Sequence, residues 1–116
     1  MATNYIGAGT FLANTTITNA LGVVLSSNGG VGLATTTSCD GFALIDAASG
    51  DYVSVAFLTN NGTLKGTLAA APVTAGDTIY LAASGTVSTT GTVTIGKSKT
   101  TTSTTGAVIE FVPKNI

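Results

Sequence analysis

Apolar and polar residues alternate along the chain in short runs, and no window of helical length keeps a 3.6-residue period with helix caps. Val53, Val55 and Phe57 fall on one side of a strand with Ser54 opposite, and Ile109 and Phe111 do the same with Glu110 opposite. Both are core faces. Val93 and Ile95 alternate with Thr92 and Thr94, which predicts a sheet whose wet face is threonine. Val23 and Leu25, like Ile79 and Leu81, read as strands that end at a glycine turn and return at Val31 and Leu33 or at Val87. A further strand over residues 63–68 turns Leu64 and Leu68 inward, with Lys65 and Thr67 outward. The pattern predicts an all-β protein, a compact β-barrel or β-sandwich of roughly eight to ten short strands.

The chain also matches itself at an offset of 56 residues. Val23, Leu25, Gly29 and Val31 lie over Ile79, Leu81, Gly85 and Val87; Gly50, Val53 and Val55 lie over Gly106, Ile109 and Phe111. Gly41 meets Gly96 one residue short, as a loop change would produce. This predicts an internal duplication, with halves at about 20–58 and 76–112 inside a β-domain over 20–116, preceded by an extended N-terminal arm over 1–19. The acids do not repeat: Asp46 falls over Thr102 and Asp51 over Ala107. The repeat therefore carries fold, not chemistry.

Composition narrows the function. In 116 residues only 8% are charged, against roughly 25% in an average soluble domain. Threonine fills 23 positions and glycine 15. Low charge weakens self-repulsion and suits a chain packed against copies or partners. There is no histidine, so the commonest general base, the usual zinc ligand and any Ser-His or Cys-His pair are excluded. All four cations are lysines and the net charge is -1, which leaves no basic stripe for nucleic acid. No apolar run has the length of a membrane helix, and residues 1–12 lack the pattern of an export signal. No cofactor or metal site is expected.

The individual candidates are few. The segment 28–32, Asn-Gly-Gly-Val-Gly, lacks the ending of a phosphate loop and reads as a hairpin turn. Asp51 and Asp77 follow glycines, where a short acid bonds nearby backbone. Cys39 is a lone thiol with no base beside it and is expected to pack inertly. The triplets beginning at Asn14 and Asn61 match the glycosylation pattern and mark loops and strand edges. Residues 97–105, almost all Thr, Ser and Lys, are expected to form a mobile surface loop. In the arm, Tyr5, Ile6, Phe11 and Leu12 are apolar anchors without turn signals. Two fates are open for them: contact with another molecule, or docking on the domain's own flank.

At residues 41–55, Gly-Phe-Ala-Leu-Ile-Asp-Ala-Ala-Ser-Gly-Asp-Tyr-Val-Ser-Val, the chain resembles the small capsid decoration, or cement, proteins of tailed phages. Residues 73–80, Val-Thr-Ala-Gly-Asp-Thr-Ile-Tyr, are similar to the opening of that family's second half, and Ile95-Gly96 with residues 107–112 complete the likeness. Together these span about two thirds of the chain. The resemblance implies a β-rich homotrimer on the exterior of the virion capsid, made in the host cytoplasm, with the major capsid protein as partner. It implies no catalysis.

Three functions compete on this reading. The first is a cement protein that binds the outside of a phage head and stabilises the shell by bridging capsid subunits, with Tyr5, Ile6, Phe11 and Leu12 as candidate capsid or subunit contacts. The alternative is a virion-surface module for carbohydrate or host-surface binding, for which Tyr5, Tyr52 and Tyr80 are the only platforms, though Tyr52 and Tyr80 sit in strands where packing is expected. The third is ice binding, from the Thr16-Ile17-Thr18 and Thr92-Val93-Thr94 faces, which recur too irregularly to form an extended array.

Overall fold

A computed structural model describes residues 8–58 and 62–113. Ten strands run in chain order: β1 (Ala8–Leu12), β2 (Gly22–Leu25), β3 (Val31–Leu33), β4 (Gly41–Ala43), β5 (Tyr52–Phe57), β6 (Leu64–Thr67), β7 (Thr78–Leu81), β8 (Val87–Ser88), β9 (Thr94–Ser98) and β10 (Val108–Pro113). A single 3-10 turn, Ala83–Gly85, is the only helical element among the described residues. The strands form two five-stranded sheets, ordered β1-β5-β4-β2-β3 and β6-β10-β9-β7-β8, with every neighbouring pair antiparallel.

The two orders are the same order. Each strand of the second sheet is the fifth after its counterpart, and four of the five start 56 residues later: Ala8 and Leu64, Gly22 and Thr78, Val31 and Val87, Tyr52 and Val108. The irregular features keep this spacing too. Gly29, Gly50 and Ala20 have φ of 84°, 93° and 69°, and their counterparts Gly85, Gly106 and Gly76 have 79°, 84° and 94°. Ile17 bridges Ala47, and Val73 bridges Thr102, with the second partner one residue short as at Gly41 and Gly96. In each sheet one parallel bridge, Ala13 to Val31 or Leu68 to Val87, joins the first strand's end to the last strand, so the edges meet and the sheet curls on itself. Closure of this kind leaves little unpaired backbone for unwanted strand addition.

Alternation decides what each sheet buries. Val53 and Val55 of β5 pack with Val23, Val31, Ala13, Ile17, Ala43 and Ala47 inside the first sheet. Ile109 and Phe111 of β10 pack with Ile79, Val87, Leu64, Leu68 and Val73 inside the second. Each buried Val, Ile, Leu or Phe among them contributes ~1.5 to 3 kcal/mol. Phe42 and Ala56, paired across β4 and β5, point the other way and join the second sheet's core, where the Phe42 and Phe111 rings meet edge to face at 5.2 Å. Backbone bonds from Thr67 N to Ala20 O and from Gly85 N to Ala34 O, both 2.9 Å, complete this joint.

Two expectations change. From Ala8 onward the N-terminal residues dock on the domain's own flank: β1 pairs with β5 over all five residues, and Ala13, Ile17 and Ala20 are buried. The cause is that β5 would otherwise present a bare edge, which β1 covers as β6 covers β10. Residues 97–105 are not a free loop. Lys97 and Ser98 belong to β9, Val73 and Thr102 exchange two backbone bonds of 3.0 Å, and the hydroxyls of Thr100, Thr101 and Thr105 accept from the N–H groups of Glu110, Ala75 and Ala71. Threonine here replaces missing backbone partners, so a polar segment is fixed without being buried.

Candidate interaction surface

Of the four candidate contact residues, Tyr5 and Ile6 lie outside the described residues. Phe11 and Leu12 are neighbours in β1, so they face opposite sides of the sheet. Phe11 is half-buried and meets Phe57 edge to face at 5.7 Å, in the wall of a cavity of about 430 Å³ that Leu25, Cys39, Asp40 and Leu58 also line. Leu12 is exposed and sits opposite Tyr52 on β5. The structure thus separates Phe11 from Leu12 and puts Leu12 beside a tyrosine. Tyr52 is 69% exposed, against the expectation that a strand position would bury it. It is the first residue of β5, on the face opposite Val53 and Val55. Tyr80 is half-buried.

Other apolar side chains stand free: Leu25, Leu44, Ile45, Val108 and Val112. The sequence offered a signal for two of these, since Leu44 and Ile45 sit in the run Phe42-Ala43-Leu44-Ile45, which a three-residue β4 cannot bury whole. Val112 is the counterpart of buried Ala56, and only the joint between the halves makes one covered and the other open.

The polar groups serve the fold. The Asp40 carboxylate accepts from Leu25 N at 2.7 Å, Asp46 from Asn19 N at 2.7 Å and Asp77 from Thr74 N at 2.9 Å. Each caps a turn or strand end. The segment with Gly29 and Gly30 is the β2–β3 hairpin: Ser26 N donates to Gly30 O at 2.7 Å, and Asn28 Oδ1 accepts from Gly30 N at 2.9 Å. Asn14 reaches over it, donating to Ser26 Oγ and Asn28 Oδ1; Asn61 of the second triplet lies outside the described residues. Cys39 is half-buried with its Sγ 3.3 Å from Gly41 O, and burial pushes its thiol up to about 12, far from nucleophilic range. Glu110 accepts a hydrogen bond from the Thr63 hydroxyl and pairs with Lys99 at 3.6 Å, which together hold its carboxyl below the usual range. Among the described residues no three His, Cys, Asp or Glu side chains gather as a metal site would require.

The surface therefore offers apolar and hydroxyl groups on a rigid β frame, a chemistry suited to contact. No protein-family model and no curated protein matches the chain. Among solved structures, the crystal structure of the head fiber gp8.5 N base of bacteriophage phi29 is similar, with a TM-score of 0.77, 15% identity and 93% of each chain covered. The chain shares that fold.

Proposed function

We propose that the chain is a structural component of a phage head, bound to the outer surface of the capsid and not an enzyme. The observation that carries this reading is the fold shared with a head fiber base over 93% of both chains. The resemblance of residues 41–55 and 73–80 to capsid cement proteins, read independently from sequence, points to the same place. The exposed apolar side chains and the lack of histidine and arginine fit a protein that makes contacts and does no chemistry. On this reading it assembles as a homotrimer, its partner is the major capsid protein, and it stabilises the shell by bridging capsid subunits. Many weak contacts suffice, because linked sites raise apparent affinity by roughly 10² to 10⁴. We also read the shared spacing of the two sheets as an internal duplication.

Co-sedimentation with mature capsids lacking surface proteins, followed by a heat challenge, tests the proposal. Saturable binding and later release of DNA from decorated particles are expected. Binding without any gain in shell stability would overturn the bridging role and leave attachment. A carbohydrate-binding role is favoured by one observation, the exposed ring of Tyr52 beside Leu12. Glycan-array binding lost on Tyr52→Ala would establish it.

A further inference from the structure

The two halves are alike, yet their surfaces are not equally covered, and the difference identifies a partner. On the first half, Gly22, Cys39, Phe42 and Ala56 lie at the joint: Phe42 and Ala56 belong to the second half's core, Cys39 packs against it, and Gly22 is in close contact with Gly85. Their counterparts on the second half are Thr78, Thr94, Lys97 and Val112, displaced by 56, 55, 55 and 56 residues. These four, with Gly96 and Pro113, line an open groove of about 490 Å³, and Val112 is 54% exposed. The opposite imbalance holds for the elements that do the covering. Leu81 of β7, in the core that Phe42 enters, and Gly85 of the 3-10 turn, against Gly22, are buried, whereas their counterparts Leu25 of β2 and Gly29 of the β2–β3 turn are exposed. One end of the molecule is thus a socket without its plug, and the other a plug without its socket.

We infer that this groove is an interface between copies of the chain, in which the second half of one copy receives the β2 flank and the Gly29 turn of the next. The occupant is argued from the molecule itself: the equivalent face of the first half is covered by a unit of the same fold, through the elements equivalent to β2 and that turn. The groove's lining is apolar apart from Lys97 and two threonine hydroxyls, as a partner's strand flank requires. Such a contact is heterologous, using a different patch on each copy, so it builds rings where the rotation closes and filaments where it does not. It supplies a concrete interface for the homotrimer reading above but does not depend on capsid binding.

Analytical ultracentrifugation of the full chain over a concentration series reads it, without capsids. Val112→Glu in the groove and Leu25→Glu on the flank beside the Gly29 turn should each weaken association by about tenfold or more, while Ile45→Glu, equally apolar and exposed but elsewhere, should not. Both test positions are exposed, and unchanged melting would show that the variants fold. Mixing the two variants should restore a pairwise complex and no larger one, because one intact groove and one intact flank remain. A self-association that neither variant weakens would overturn this contact while leaving the homotrimer standing. A monomeric wild type at all concentrations would overturn both. Failure of the mixed variants to pair would overturn the head-to-tail geometry.

Discussion

The first and second halves of this molecule are two solutions to one backbone. Where strands, bridges and left-handed turns coincide at a spacing of 56 residues, the side chains differ according to what lies outside each sheet. Ala43 and Ala47 in the first half become Ser98 and Thr102 in the second, and the buried Ser98 hydroxyl donates to Thr100 O at 2.7 Å and accepts from Thr100 N at 3.1 Å. Ala20 holds a left-handed turn that its counterpart Gly76 adopts freely. Phe42 and Ala56 face a neighbour, and Lys97 and Val112 face solvent. The comparison teaches that the interior and the turns are set by the fold, while the outer faces record each half's surroundings.

The largest expected effect comes from breaking the correspondence at its start. Removing residues 1–12 deletes β1 and bares β5, so the first half should lose cooperative folding, read as a lost or strongly broadened thermal transition. An unchanged melt would show that β1 is dispensable and that the likeness of β1 to β6 is superficial. Next is Phe111→Ala, at the core position equivalent to Val55. Loss of a buried phenylalanine costs ~3 to 5 kcal/mol, a large share of the ~5 to 15 kcal/mol that holds a domain together. Because Phe111 touches Phe42 across the joint, a single denaturant transition should shift as a whole. Two separated transitions would show that the halves fold independently.

A smaller and more pointed pair is Gly41→Ala and Gly96→Ala. A Cβ at these counterpart positions would lie 2.4 Å from Ala56 O and 2.1 Å from Val112 O, so both should cost ~1 to 3 kcal/mol or more. Gly32→Ala, with nothing within 4 Å, should be nearly neutral in the same urea titration. Equal effects at all three would remove the close strand approach that both halves share. The smallest effect belongs to Glu110. Its carboxyl is held below the ordinary value of about 4.3 by Thr63 and Lys99, so its stabilising contribution is present above that value and is lost as pH falls through the lower, folded one. The difference in melting temperature between wild type and Glu110→Gln should be slight at neutral pH and vanish in acid. A difference that grows in acid would reverse the assignment.

Much of this was legible in the sequence, and the reasons are physical. Period-two alternation at Val53, Val55, Ile109 and Phe111 showed the core faces because each strand buries one side against its own sheet. The glycines at 29, 50, 76 and 85 showed the turns because their left-handed backbones favour that residue. The start of the first half was missed because β1 and β6 share few residue types. The surviving trace, Ile17-Thr18 over Val73-Thr74, is short. The order of residues 97–105 was hidden because hydroxyl-to-backbone bonds leave no apolar signature. The exposure of Val112, whose counterpart Ala56 is buried, depends on where one half ends against the other, which no local pattern encodes.

The most direct test of the central claim is an image reconstruction of mature capsids, first stripped of surface proteins and then mixed with the purified chain. Added density is expected on the outer surface where shell subunits meet, with the two sheets recognisable within it and occupancy that saturates with added protein. Particles that remain bare at saturating concentration, with the protein still folded in the supernatant, would contradict it.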